Sequence, residues 1–321
     1  MSRMSTRMAA IIPVCNRPHA VIEALDSVAA QTRQPKAVVV VDDGSTDDTA
    51  ARVESWIARH APTLGCPAKL IRQDNAGAAT ARNRGVTHAA DCDLLAFLDS
   101  DDVWPNDYLE RMERVFAEAP RAVAASCDKN QFNCLTGEAR YESVAYLARD
   151  ATLGLLTIGP ASTSNTVYCA RAFQKVGGFE DERVCGEDYQ LQLRLSLHGP
   201  WLVVPGEPVL YRRHAEPAAR ETPVQRGEQG DHLSKQDARR RLHRAQFIDS
   251  FIHNEWRDRT LPASAIYPRL AKLWHGAGRS LLEQGSREAA ADCFRRVLTY
   301  RPFHLRARVR LWRCGAWSTA I

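Results

Sequence analysis

The stretch Leu94-Leu95-Ala96-Phe97-Leu98-Asp99-Ser100-Asp101-Asp102 decides how this chain is read. Five apolar residues, the length of a buried strand, run into three carboxylates within four positions. Like charges this close repel one another, and nothing in strand energetics gathers them. A bound divalent cation does, because it takes oxygen ligands from Asp.

Working outward, Ala9–Val14, Ala37–Val41 and Lys69–Arg72 read as further strands. Ala20–Ala30, Asp47–Arg59 and Ala78–Ala89 lie between them with helical length and composition. Strand–helix alternation predicts βαβ units, a mainly parallel sheet and the α/β class. Val38-Val39-Val40-Val41 is β-branched throughout, as a central strand buried on both faces requires. Ligands of such sheets bind beyond the carboxyl ends of the strands. Val41-Asp42-Asp43-Gly44-Ser45, after the second strand, and Asp99–Asp102, after the fourth, then belong to one site.

Further along, Pro105–Ala119 and Glu187–Leu197 read as helices, and Trp201–Val204 and Pro208–Arg212 as short strands. The polar stretch Glu216–Gly230 carries Pro217, Pro223, Gly227 and Gly230 and reads as a linker. From about His232 the pattern is helical. The expected division is a catalytic domain over 1–215, a linker over 216–231 and a helical region over 232–321.

The chain has no GxGxxG and no GxxxxGK[ST] loop, so a diphosphate is not cradled mainly by backbone amides. Its charge needs a metal, and the metal needs carboxylates. Asp42 or Asp43 can instead accept hydrogen bonds from a ribose or base, and the same residues also suit a tight turn. Glu187 and Asp188 open a helix, where acids favour the dipole, and Asp188 also suits a general base.

The nine cysteines are scattered without a CxxC, which removes support for a zinc ribbon or a redox pair and favours a reducing compartment. The first eight residues lack a signal-peptide hydrophobic region, and no apolar run spans a membrane. The net charge of +5 is uneven: residues 231–321 hold 18 Lys/Arg against 8 Asp/Glu, leaving 25 against 30 in residues 1–230. The basic part points to an anionic partner.

The chain resembles the family 2 glycosyltransferases, bacterial inverting enzymes with a GT-A fold, over about residues 8–215. The resemblance is carried by Ile11-Ile12-Pro13-Val14 with Asn16-Arg17, then Val41-Asp42-Asp43-Gly44-Ser45-Thr46-Asp47. Asn75, Gly77 and Ala81-Arg82-Asn83-Arg84-Gly85 follow, then Asp99-Ser100-Asp101-Asp102 with Trp104 and Pro105. Val176-Gly177-Gly178-Phe179 and Gly186-Glu187-Asp188-Tyr189 complete it.

The resemblance implies a nucleotide-sugar donor, UDP-linked, bound by Pro13, Asn16, Asp43, Asn83, Asp99 and Asp101. Asp43 contacts the base or ribose, Asp99 the nucleotide sugar, and Asp101 holds Mg2+ or Mn2+ against the diphosphate. His214 is the position for a second metal ligand. Asp188 deprotonates the acceptor hydroxyl. The acceptor is a glycan or a lipid-linked glycan, in cell-surface polysaccharide or glycolipid synthesis. After the Glu187-Asp188 pair the chain reads Gln190-Leu191-Gln192-Leu193-Arg194-Leu195 and lacks the QxxRW of processive synthases, so transfer of one or a few sugars is expected.

Trp274, Gly278, Ala290, Phe294 and Pro302 fall at the spacing of one tetratricopeptide repeat over about 271–304, with Gly285 at its turn. Beyond it, Arg306, Arg308, Arg310 and Arg313 alternate with Leu305, Val309, Leu311, Trp312 and Trp317. That pattern suits an anionic membrane surface, or a helix packed on the hairpin with solvated arginines. No nucleic-acid platform is visible. A cytoplasmic location, peripheral on the inner face of the membrane, is expected. Two alternatives stand beside a transferase. A nucleotidyltransferase wants a basic Gly-rich N-terminal loop, of which Ile12–Arg17 supplies only Asn16 and Arg17. A scaffolding protein has no reason to keep Asp43, Asp99, Asp101 and Asp188.

Overall fold

The computed structural model describes residues 6–134, 136–180, 186–213, 226–256 and 263–316, with the side chains of 213 and 226–237 outside that description. Two compact units form, Met1–Arg183 with Glu187–Pro217, and Val184–Gly186 with Ala218–Ile321.

The first unit is built on one mixed sheet. Strands β1 (Met8–Val14), β2 (Ala37–Asp43), β3 (Ala68–Gln73) and β4 (Leu94–Phe97) alternate with helices α1 (Ala20–Ala29), α2 (Thr49–His60) and α3 (Ala78–Thr87). Helix α4 (Tyr108–Glu118), strands β5 (Ala124–Asn133) and β6 (Ala139–Glu142), helix α5 (Ala151–Thr157), strand β7 (Thr166–Cys169), helices α6 (Ala170–Lys175) and α7 (Glu187–Ser196) and strand β8 (Trp201–Arg213) follow. The order across the sheet is β3-β2-β1-β4-β7-β5-β6, with β8 beside β5. β1, β2, β3 and β4 are mutually parallel; β7 runs antiparallel to β4 and to β5. The expected α/β class and mainly parallel half of the sheet are therefore present. β1 and β4 are buried at every position, because helices cover both faces of the parallel part.

The chain moves from β1 outward to β2 and β3, then returns to β4 on β1's other side. That reversal opens a crevice at the carboxyl ends of β1 and β4. The acidic loops leave their strands at this edge.

Trp201–Val204 and Pro208–Arg212 form one strand rather than two. Lys129 pairs with Val209 although Cys127 pairs with Val204, so Pro205, Gly206 and Glu207 bulge out of register. Gly206 has φ 129°, and Arg111 of α4 donates to the carbonyls of Pro205 (2.9 Å) and Glu207 (2.8 Å). A local Pro-Gly signal predicts a break, but a buried guanidinium satisfies the bulge and the strand continues.

Helix α3 lies close on the sheet through Gly85. A Cβ there would collide with Cγ2 of Ile11 in β1. Gly85→Ala is expected to cost about 1–3 kcal/mol in urea unfolding, since the packed core has no room to yield.

The second unit is all helical. It comprises α8 (Arg226–Ser250), a π turn over Phe251–Glu255, α9 (Ala263–Glu283), α10 (Arg287–Tyr300) and α11 (Leu305–Arg313). α8 starts at Arg226, inside the stretch expected to be linker. α9 and α10 form a hairpin with Gly285 (φ 79°) in the turn. A Cβ at Gly278 would lie 2.9 Å from Cβ of Cys293 and from the Phe294 ring, so the missing side chain sets how closely the two helices approach. Buried Asp249 ties the unit together, accepting from Trp274 Nε1 (2.8 Å) and the Tyr300 hydroxyl (2.5 Å).

Candidate active site

Three loops meet at the carboxyl edge of the parallel strands. The loop after β1 is held in place by Asn16, whose φ of 51° turns the backbone out of the strand. Asn16 N–H donates to Ser45 Oγ (2.9 Å), and its Oδ1 accepts from Thr46 N–H (2.8 Å). Arg17 N–H donates to Thr49 Oγ1 (3.0 Å). Asn16 therefore locks the β1 loop to the β2 loop, and the Arg17 guanidinium crosses to form an ion pair with Asp101 after β4. Pro13, one residue before the end of β1, is buried opposite Val41.

The two carboxylates ending β2 have separate work. Asp42 is fully buried, accepts from Ser45 N–H (3.0 Å) and faces Arg72 (3.5 Å). Asp43 accepts from Gln73 Nε2 (2.8 Å), Ala76 N–H (2.8 Å) and Gly77 N–H (2.9 Å). It thus fixes the turn that enters α3. A carboxylate has about four lone-pair sites, so one on Oδ2 is left over.

After β4 the three aspartates diverge in role. Asp102 is buried; it accepts from Ser164 Oγ (2.5 Å) and from Arg212 N–H in β8 (3.0 Å). Burial, then the negative charge of Asp99, push its carboxyl well above the usual range. Asp102 ties β8 to the β4 loop. Ser164 also supports Asp99, accepting its N–H (3.1 Å), and its carbonyl accepts from Trp104 Nε1 (2.7 Å). The side chains of Asp99 and Asp101 remain partly open to solvent, 27% and 14% exposed, so of these three aspartates they are the ones that can meet a ligand.

Arg82 joins the β4 loop to α7. It projects from the sheet-facing side of α3, with Ala79 and Gly85, and its side chain is 6% exposed. Nη2 donates to Asp99 Oδ1 (2.6 Å) and Nη1 to Glu187 Oε1 (3.2 Å), and the guanidinium stacks over Phe179 at 5.3 Å. Burial lowers its proton affinity, but the Asp99 carboxylate and then Glu187 more than offset this, so Arg82 stays charged.

Asp188 follows Glu187 in the first turn of α7 and is part-buried. Burial first, then the Glu187 charge, push its carboxyl up to about 6; Arg82 and the Tyr189 N–H (2.7 Å) oppose this. A carboxylate poised near neutrality suits proton transfer. Tyr211 of β8 marks where the acids converge. Burial raises its hydroxyl to about 12, followed by the charges of Asp102, Asp99, Asp101 and Asp188. Lys129 sits over its ring at 4.7 Å.

Asn83 is engaged differently from the expectation of a donor contact. Its amide donates to the Phe179 carbonyl (2.7 Å) and accepts the Phe179 N–H (3.1 Å), clamping the Gly177-Gly178-Phe179 turn. His214 lies outside the described residues. Arg82, Ser164 and Tyr211 were not legible as site residues. Arg82 had two signals, its place in the Ala81–Gly85 stretch that carries the resemblance and a charge on the small-residue face of α3; Ser164 and Tyr211 had none.

Among the described residues, no three His, Cys, Asp or Glu side chains gather into a metal cage. A cation carried with a diphosphate needs only one or two protein carboxylates, and Mg2+ is usually held this way. The oxygen-only set at Asp101 and Asp99 fits Mg2+ or Mn2+ arriving with such a ligand.

Known proteins share this architecture. A mannosyltransferase from Pyrobaculum calidifontis, determined with GDP-Man and Mn2+, superposes with a TM-score of 0.57 at 21% identity, covering 97% of this chain and 86% of that one. Residues 1–349 of S. aureus TarS, determined with UDP-GlcNAc, give 0.58 at 17% identity, covering 97% and 93%. These likenesses show the GT-A type of fold. An uncharacterized glycosyltransferase of Nostoc sp. is 38% identical over 110 residues, 34% of this chain and 33% of that protein. The succinoglycan biosynthesis protein ExoW of Rhizobium meliloti is 36% identical over 105 residues, 32% of each. The chain spans about a third or less of the length of the curated relatives it matches. The model of the family described as "Glycosyl transferase family 2" matches residues 9–177, over half the chain and through both acidic loops. With the same loops brought to one edge of the sheet, the chain belongs to glycosyl transferase family 2.

Proposed function

We propose that this chain transfers a sugar, with inversion, from a nucleotide-sugar donor to an acceptor hydroxyl. The observation that carries this reading is the linkage of two unlike carboxylates through one buried guanidinium. Asp99 lies at the end of β4, Arg82 bridges it to Glu187, and Asp188 with its carboxyl near 6 stands next in the chain.

The nucleoside lies along the β1–β2 edge, where the spare lone pair of Asp43 accepts from its base or ribose. Pro13 and the Asn16 turn shape the floor. Asp99 orients the sugar. Asp101, with His214 as a further ligand, would hold Mg2+ or Mn2+, which when bound neutralises charge on the departing diphosphate. Asp188 takes the proton of the acceptor hydroxyl as its oxygen attacks the anomeric carbon. The bond from that carbon to the diphosphate oxygen breaks on the opposite face, and the nucleoside diphosphate leaves with the electron pair. Asn83 acts by holding the Phe179 turn beneath Arg82. The donor is UDP-linked, as the resemblance in sequence implies, and the acceptor is a glycan or lipid-linked glycan at the cytoplasmic face of the membrane. Transfer of one or a few sugars follows from the missing QxxRW motif.

A panel of nucleotide sugars tests this, with the released nucleotide identified. Release of nucleoside diphosphate with one sugar is expected. Pyrophosphate release when the chain is given a nucleoside triphosphate with a sugar 1-phosphate instead would favour a nucleotidyltransferase, and inertness towards both substrate sets would favour a scaffold. Chelation with EDTA is expected to abolish turnover, with restoration by Mg2+ or Mn2+. Asp101→Asn is expected to raise the metal concentration needed for half-maximal rate by about tenfold or more, as loss of one charged ligand contact is worth ~1.5–3 kcal/mol. An unchanged metal requirement would remove Asp101 from the metal site.

A further inference from the structure

Helix α11 presents two opposed faces. Ala307 and Leu311 are buried inside the helical unit. Leu305 (76% exposed), Val309 (58%) and Trp312 (69%) recur at i, i+4 and i+7 and so form one stripe on the opposite side, continued by Phe303 (86%) in the preceding turn. Packing on the hairpin therefore uses the small inner face and leaves the large apolar side chains in water. On a helical projection Arg306 and Arg313 flank the stripe on one side and Arg308 on the other. Arg306 and Arg313 are exposed. Arg310 is directed elsewhere, to His275 Nε2 at 3.0 Å. Burial, then Arg310, pull His275 down to about 4, so the imidazole stays neutral and accepts from the guanidinium. The charge is one-sided: residues 293–321 contain seven arginines and no Asp or Glu.

We infer that α11 is an interfacial helix that lies on an anionic lipid bilayer. A stripe of Leu, Val, Trp and Phe bounded by arginines on both edges is the arrangement in which apolar side chains enter the acyl boundary while guanidinium groups reach headgroup phosphates. Trp favours that boundary because its ring is apolar and its N–H polar. An acidic protein or nucleic acid would match the arginines but would leave the stripe in water. This surface belongs to the helical unit alone and stands whether or not the transferase reading does.

The test is flotation of the full chain with phosphatidylcholine vesicles, with and without phosphatidylglycerol. Binding to the phosphatidylglycerol vesicles is expected, weakening as salt screens the charge. Leu305→Ala with Trp312→Ala is expected to lower the bound fraction by about tenfold or more, because bilayer affinity scales with buried apolar area. Circular dichroism should be unchanged, since Ala307 and Leu311 still pack. Arg306→Gln with Arg313→Gln should lower binding to the anionic vesicles only. Absence of flotation overturns the inference. So does flotation that the stripe variant keeps and only the arginine variant loses, which would assign the surface to soluble polyanions.

Discussion

Asp188→Asn is expected to lower sugar transfer by about 10²–10⁴-fold, the usual worth of a positioned base. Donor binding, measured by calorimetry, should be nearly unchanged, because the proposed donor contacts lie at the β1, β2 and β4 loops. The same carboxyl predicts a pH profile. Asp188 is raised to about 6 from its ordinary 3.8, so it must lose its proton as pH climbs through about 6, and kcat/KM should rise with it. The variant should lose that limb. Stability should move the other way. A carboxyl raised in the folded state contributes stability that is present below pH ~4 and lost as pH rises through its folded value. At neutral pH Asp188→Asn should therefore stabilise the protein, by roughly 1–3 kcal/mol in thermal unfolding. Full turnover by the variant, or a wild-type pH limb, would remove Asp188 from the role of base.

The second large effect lies at Arg82. Arg82→Met is expected to destabilise the protein by about 3–5 kcal/mol, because Asp99 and Glu187 lose the buried cation they share. It should also push the Asp188 carboxyl further up, since Arg82 is the charge that opposes burial there. The rising limb of the pH profile should move to higher pH in whatever fraction remains folded. Arg82→Lys keeps the charge but cannot span both partners, and should restore part of the stability and return the limb towards its wild-type position. Denaturant unfolding and a pH–rate profile check both. Unchanged stability with an unchanged limb would show that the bridge from Asp99 to Glu187 carries neither effect.

Strand and helix positions in the first hundred residues could be read because period and composition agree there. β1, β2 and β4 are continuous apolar runs, and each ends at the carboxylates or turn residues that follow. Residues 121–170 carry no comparable period, because their strands lie in the half of the sheet that pairs antiparallel. β7 is four residues long, and its identity as a strand depends on pairing with β4 and β5. β8 was divided by Pro205-Gly206 until Arg111, over ninety positions earlier, supplied the missing donors. Each failure has one cause: the stabilising partner is distant in the chain.

The sequence by itself determined the class of fold, the edge of the sheet that carries the site, and the set of acidic residues there. Those follow from local period and from the rule that parallel strands deliver their loops to one side. Tertiary structure alone decided how the acids differ. Asp102 became a buried tie to β8, Asp43 the anchor of a turn with one lone pair to spare, and Asp99 and Asp101 the two side chains partly open to solvent. Proton affinity and availability depend on burial and on which donors arrive from elsewhere, and no spacing along the chain encodes either. The opening triplet of carboxylates held one chemistry in the sequence and three in space.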